Sequence, residues 1–250
     1  AFAGFKYTYF SFDDNDLRSE ATGYTNDKNP ALNASSGYQH IKGTNDVWKN
    51  MRWYGNVDYN YMNRYFATVS LSAEANSRFG ENAGGLKLAG VKWALFPSVQ
   101  LGWVVTNEKW FPKRAGINYL RLHAGFDMSG NDDISNYAAR TSISSVRFNY
   151  IATGGQLNNI GNDKIKWETS KKFNVGFKSY VLNNRVGVDF NYFISRTSDL
   201  LTLKTFDNPI GGINTYWTNG GELENQGFEL SVTGKPVVVK NFNIEIGASM

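Results

Sequence analysis

The stretch at residues 167–201, WETSKKFNVGFKSYVLNNRVGVDFNYFISRTSDLL, restricts the fold more than any other part of the chain. It holds two long alternating runs. In the first, Trp167, Thr169, Phe173, Val175 and Phe177 share one parity, and Glu168, Ser170, Lys172, Asn174 and Lys178 share the other. In the second, Val186, Val188, Phe190, Tyr192 and Ile194 oppose Arg185, Asp189, Asn191 and Ser195. A period of two with one apolar and one polar face marks a β-strand. Leu182-Asn183-Asn184 joins the runs, and asparagine tolerates the positive φ angles that tight hairpin turns need. Soluble strands run to about 5–6 residues. A tilted strand of about 9–11 residues crosses a bilayer, and both runs reach that length.

The same pattern recurs along the chain. Ala3, Phe5, Tyr7 and Tyr9 alternate with Lys6 and Thr8. Trp53, Val57, Tyr59 and Tyr61 oppose Tyr54, Asn56, Asp58 and Asn60. After a turn at Met62-Asn63-Arg64, Ala67, Val69, Leu71, Ala73 and Ala75 oppose Thr68, Ser70, Ser72, Glu74 and Asn76. Further runs centre on Trp93, Leu95, Val99, Leu101 and Trp103, on Leu120, Leu122, Ala124, Phe126 and Met128, on Phe228, Leu230 and Val232, and on Phe242, Ile244 and Ile246. One short helical turn is expected in the connection between Thr106 and Asn118. Gly227, inside a strand, suggests a bulge beside Asn225. The total is about nine long strands whose connections alternate between short turns and long polar segments at residues 13–50, 130–166 and 198–219. Bacterial outer-membrane barrels are asymmetric in this way, with short periplasmic turns and long extracellular loops.

The aromatic residues follow the same plan. Trp53, Trp93 and Trp167 each start a strand descending from a long connection, and Trp217 precedes another, as an outer aromatic girdle would. Tyr59, Tyr61, Tyr65, Trp103, Phe177 and Tyr180 fall near the short turns, as an inner girdle would. The alternative is that these rings fill a soluble core. The polar parity argues against that, because it carries Arg121, Asp127, Glu168, Lys172, Lys178, Arg185 and Asp189. Buried in a sandwich these charges would cost several kcal/mol unless paired, whereas a wet lumen tolerates them.

The expected fold class is therefore all-β: a transmembrane antiparallel up-and-down β-barrel, present in part. Residues 1–250 form a piece of a single barrel domain that begins and ends in mid-pattern. An odd number of strands cannot close a bacterial single-chain barrel. Hydropathy does not oppose this, since barrels place apolar residues only at alternate positions. The chain has no cysteine, which removes disulfides, thiolate metal sites and cysteine nucleophiles. Its net charge of +4 comes from scattered lysines and arginines, without the basic stripe of a nucleic-acid-binding protein.

Several ordered segments carry a family resemblance: WYGNVDYNYMNRYFATVSLSAEANSRFG (53–80), FPSVQLGWVVTNEKWF (96–111), INYLRLHAGFDMSGNDDISNY (117–137), IKWETSKKFNVGFKSYVLNNRVGVDFNYFISRTSDLL (165–201) and NGGELENQGFELSV (219–232). They resemble the C-terminal barrel half of SusC/RagA-type TonB-dependent transporters of Bacteroidetes. The resemblance implies a barrel of about 22 strands with an N-terminal plug. Plug, N-terminal strands, TonB-contacting region and closing strand would lie outside these residues. It further implies import of oligosaccharides or peptides across the bacterial outer membrane, a SusD-like surface lipoprotein as partner, TonB as the energy-coupling partner, and contact with the lipid bilayer and lipopolysaccharide.

Catalysis finds little support. His40 lies in a polar segment and His123 on a polar strand face, and neither has a nucleophile beside it in sequence. No cofactor is expected. Asp13-Asp14-Asn15-Asp16 and Asn131-Asp132-Asp133 could offer oxygen ligands to Ca²⁺, but the glycine and distal glutamate of a dedicated loop are missing. Ligand contact is the functional expectation, with Tyr38, Trp48, Phe79, Tyr137, Phe148, Tyr150, Tyr216 and Trp217 as loop aromatics able to stack on a sugar or grip a peptide. The alternatives are an outer-membrane barrel enzyme (protease or lipid hydrolase) and a secreted glycan-binding β-sandwich.

Overall fold

The computed structural model describes residues 1–22, 39–112, 116–148, 152–239 and 242–250. Among these, nine strands form one antiparallel sheet in which every neighbour on the path is also the next wall strand in sequence. They are β1 (Phe2–Ala21), β2 (Gln39–Tyr61), β3 (Tyr65–Asn76), β5 (Val91–Val104), β6 (Ile117–Asn131), β9 (Glu168–Val181), β10 (Val186–Ser198), β13 (Glu222–Val239) and β14 (Phe242–Ser249). The short β4 (Leu86–Leu88) pairs with β5. Two further hairpins, β7 (Ser142–Phe148) with β8 (Ala152–Asn159) and β11 (Leu201–Ile210) with β12 (Ile213–Asn219), stand in the long connections. A single up-and-down sheet is not a sandwich, which removes the soluble two-layer alternative.

The register carries one chemistry across strand after strand. Tyr59, Ala67, Leu101, Ala124, Val175, Tyr192 and Phe228 form one continuous row. Val57, Val69, Val99, Phe126, Phe173 and Ile194 form another on the same face. On the opposite face, Asn56, Ser70, Ser98, Asp127, Lys172, Ser195 and Asn225 share a row. A one-residue slip at any pairing would exchange the two faces, so the apolar–polar difference itself fixes the register.

The short turns behave as their sequences require. Leu182, Asn183 and Asn184 all have positive φ, as do Met62 and Asn63. A 3₁₀ turn at Val105–Asn107 supplies the helical turn in the β5–β6 connection. Pro97 pairs with Leu71 of β3, but the β5–β6 ladder starts only at Ser98, because proline has no N–H to offer a second neighbour. The ladder runs unbroken past Gly227, so no bulge forms there. The Phe193 ring instead lies close to the site where a Gly227 side chain would stand. The irregularity in β13 falls between Gly234 and Val237, around Pro236.

The polar segments are less loop-like than their composition suggests. Pairing of β1 with β2 continues from Phe2↔Asp58 to Ala21↔Gln39, well into residues 13–50. Residues 130–166 and 198–219 contain the β7–β8 and β11–β12 hairpins. Alternation disappears where water touches both faces, but backbone pairing does not depend on it. The main apolar core lies among these connections. Phe79, Phe96, Ile134, Ala138, Ile165 and Trp167 are buried together, with Ala94, Met128, Ala139, Leu201 and Trp217 packed around them.

Candidate functional site: the outer loops and the polar wall

The buried cluster converts several connections into a rigid cap. Ile165 is fully buried, and the Phe79 and Trp167 rings lie 4.1 Å apart. The Gly80 N–H donates to the Ile165 carbonyl at 3.1 Å, and the Asn82 N–H to the Asp163 carbonyl at 2.9 Å. A side chain at Gly80 would collide with the Asp163 backbone, so the two segments touch main chain to main chain. Asn219 locks the next connection. Its amide nitrogen donates to the carbonyls of Lys166 (2.8 Å) and Asp199 (2.9 Å), and its amide oxygen accepts from the Lys166 N–H (2.9 Å). Lys166 and Asp199 are also ion-paired at 2.8 Å.

This clamp forms the floor of a cleft of about 680 Å³ lined by Asn162, Lys164, Lys166, Asp199, Phe206 and Tyr216 among others. Phe206 and Tyr216 stack at 4.5 Å. A pair of aromatic faces beside amides, lysines and a carboxylate suits a polar ligand with an apolar surface, such as a sugar ring or a peptide. Tyr216 is thus the sequence-selected aromatic that the fold brings to an open cleft.

The other loop aromatics are placed differently. Trp217 packs on the cap and Phe79 is inside it. One face of Trp48 is covered by the Arg78 guanidinium at 4.1 Å, and Phe10 packs against it at 4.9 Å. Arg78 also donates to the Asn136 side chain (2.8 Å) and the Asp132 carbonyl (3.2 Å), while Asn136 donates to Asp46 (2.7 Å). The Asn76 amide bonds to Asp132, so that carboxylate serves the network. The Tyr137 hydroxyl accepts from the Val47 N–H at 3.0 Å. Trp48, Phe79, Tyr137 and Trp217 therefore hold loops together. Tyr38 and Tyr150 lie outside the described residues, as do the side chains of Phe148 and His40. Asp13, Asp14, Asn15 and Asp16 lie on β1, where successive side chains point to opposite faces, so they do not converge. Among the described residues no group of three or more His, Asp or Glu gathers as a metal site would.

Below the cap the polar face continues the site. Arg52 and Asn50 both bond to Glu74, the latter at 2.7 Å. Asp127 accepts from Gln100 at 2.8 Å, and Lys178 pairs with Asp189 at 3.6 Å. His123 shares a recess of about 300 Å³ with Gln100, Arg121, Lys178 and Asp189. Side chains lie flat against this wall where glycines make room. A Cβ at Gly102 would meet the Arg121 guanidinium, at Gly125 the Gln100 and Asn174 amides, and at Gly176 the His123 ring.

The girdle residues divide. On the apolar face, Tyr59, Tyr61, Tyr65 and Trp103 form a ladder in which each ring is 6.4 Å from the next. The Tyr65 hydroxyl and the Trp103 indole N–H both donate to Glu108, at 2.6 and 3.1 Å, and Arg64 stands 3.5 Å away. Glu108 lies in the turn outside the strands. Its bonds to Tyr65 and Trp103, with the nearby Arg64 charge, hold its carboxyl below the ordinary glutamate pKa. Trp53, at the other end, is 41% exposed and packs 4.6 Å from Tyr7.

Four girdle expectations need correction, the first being Trp217, which packs on the cap. Trp93 and Trp167 are only 8% and 4% exposed. Trp167 precedes β9 and turns into the cap, and Trp93 is flanked by β4. Tyr180 sits on the polar face, paired with Gly187 and 5.9 Å from Tyr119, because its position has the parity of Lys178. The apolar band ends toward the loops at Lys171, Arg196, Glu222 and Glu224, where Arg196 pairs with Glu222.

A family model described as TonB dependent receptor-like, beta-barrel matches residues 2–249. TonB-dependent receptor P3 of Formosa agariphila is 30% identical over 198 residues, covering 76% of this chain and 18% of that protein. TonB-dependent receptor SusC of Bacteroides thetaiotaomicron is 27% identical over 203 residues, covering 78% and 19%. A solved structure of the RagAB peptide transporter superposes with a TM-score of 0.80 over 99% of this chain and 27% of that one, at 22% identity, a likeness of fold. The chain spans about a fifth of the length of the curated relatives it matches.

Proposed function

Because the chain belongs to the TonB-dependent receptor-like β-barrel family, and within it to the SusC/RagA type, we propose that it forms barrel wall and outer loops of an active outer-membrane importer. The observation that carries this is the sheet itself. Among the described residues nine strands, neighbours in one sheet, keep one apolar face for lipid and one polar face for a wet lumen, with structured connections gathered at one end. The cargo is an oligosaccharide or a peptide, received with a SusD-like lipoprotein and driven across by TonB. The cleft at Phe206 and Tyr216 contacts the cargo, and the hydroxyl- and amide-rich wall below guides it. The bilayer and lipopolysaccharide surround the apolar face. In this reading the chain binds and passes its cargo without chemical change.

The test uses the intact protein in its own outer membrane. Labelled oligosaccharides and peptides are offered to cells, with and without a protonophore. The proposal expects one class to accumulate, and accumulation to stop when the proton gradient collapses. Uptake that ignores the gradient, or cargo released in cleaved form by the purified protein, would overturn it.

A further inference from the structure

The apolar face carries a groove that the import function does not use. Its volume is about 440 Å³, and its lining includes Tyr59, Tyr65, Ala67, Trp103, Ala124 and Val175. The cause is the alternation of sizes along one register row. Ala67 stands between Tyr59 and Leu101, and Ala124 between Leu101 and Val175. Two small side chains sink the surface while the aromatic and branched neighbours form its rims. The groove lies on β2, β3, β5, β6 and β9, each of which has both strand neighbours in the sheet, so its walls are complete.

One end of the groove has polar chemistry. Tyr65 and Trp103 line the groove and turn their donors to Glu108, which also faces Arg64. With its three partners, Glu108 is compensated. Lys109 adjoins it on the exposed turn, and the largely exposed Trp110 packs 6.4 Å from Trp103. The end of the groove at the short turns therefore combines the Arg64–Glu108 ion pair, the exposed Lys109 and interfacial aromatic rings, a net charge of about +1. Such an end suits a phosphate at the membrane surface, and the groove suits a hydrocarbon chain.

We propose that this groove is a specific phospholipid site: an acyl chain lies over Ala67 and Ala124, and its headgroup phosphate meets Arg64 and Lys109. The lipid comes from the leaflet on the short-turn side. The site rests on the barrel reading but not on the identity of any cargo.

The experiment is native mass spectrometry of the full-length protein, purified in mild detergent and titrated with phosphatidylglycerol. Resistance to SDS without heating reports a folded barrel and tests the barrel reading separately. Ala67→Leu and Ala124→Leu fill the groove and are expected to weaken lipid retention about tenfold, as burial of about two fewer methylenes would. Val69→Leu, outside the groove, is expected to leave it unchanged. Arg64→Gln with Lys109→Gln is expected to abolish the preference for phosphatidylglycerol over a neutral diacylglycerol. The unmodified protein gives a second measure that needs no variant: phosphatidylglycerol should bind, and its deacylated glycerol phosphodiester should not. Unchanged lipid retention in both leucine variants would overturn the proposal. So would loss of a dimer in those variants, since a second barrel would then cover the groove.

Discussion

Replacing Ile165 with alanine tests whether the outer connections are one cooperative cap. Ile165 is fully buried between Phe79, Phe96, Ala138 and Trp167. Removing its branched end leaves a void that the main-chain contact between Gly80 and Asp163 prevents from closing. A buried Ile→Ala change costs about 2–5 kcal/mol, and for a site that cannot collapse about 3 is a lower bound. The loss is local, because the cap opens without unzipping the wall. The assay is amide hydrogen exchange. The Gly80, Asn82 and Asn162 N–H groups are held by cap carbonyls and serve as reporters. At about 1.4 kcal/mol per factor of ten, their exchange should accelerate at least about 10²-fold. Ladder amides in the middle of β9 and β10, such as those of Val175 and Phe190, should stay as they were. Acceleration below about threefold, or equal acceleration in the wall, would refute a separate cooperative cap.

Glu108→Gln should weaken the turn between β2–β3 and β5–β6, seen as a lower unfolding temperature at neutral pH. Because the folded carboxyl has a lowered pKa, its stabilisation is present above the ordinary carboxylate range and is lost as pH falls through the folded value. Stability of the unmodified protein should therefore drop in acid more than that of the variant, a difference readable in paired melts. Gly125→Ala should push aside the Gln100 and Asn174 amides and disturb the Gln100–Asp127 bond, costing about 1–2 kcal/mol by chemical denaturation. Asn183→Val puts a β-branched residue at φ +57° and should cost about 1–2 kcal/mol in the same measurement. Tyr216→Ala removes half of the stacked pair in the cleft and should lower cargo affinity about tenfold by calorimetry, with the barrel still SDS-resistant.

The wall was legible because its two faces meet different solvents. In β3, β9 and β10 the alternation persists despite single exceptions such as Phe66, Lys171, Tyr180 and Phe193, and the strand limits follow it closely. Where both faces are wet, the signal vanishes while the ladder goes on, as in β1 beyond Phe12 and in β7 and β8. One missed hairpin did carry a local cue. Gly211 and Gly212, both at positive φ between Ile210 and Ile213, make the β11–β12 turn and read as a glycine pair between apolar neighbours. Tyr180 could have been placed by parity alone. Trp167 could not, because beyond the end of a ladder alternation no longer sets direction. Tyr216 was found as an aromatic in a loop, but Asn219, which fixes its cleft, looks in sequence like any turn asparagine. Its importance lies in three hydrogen bonds to segments far along the chain.

The account stands on the claim that one face of this sheet meets lipid and the other meets water. These 250 residues contain no cysteine, so once any cysteine elsewhere in the full-length protein is replaced by serine, single cysteines can be placed without background. Spin labels at each position from 172 to 178 in the full-length protein, reconstituted in bilayers, give the direct measurement. Labels replacing Phe173, Val175 and Phe177 should collide with dissolved oxygen, and those replacing Lys172, Asn174 and Lys178 should collide with a water-soluble nickel complex. A period of two between the reagents is the predicted result. Nickel accessibility on both parities would contradict the barrel wall, and with it the rest of the account.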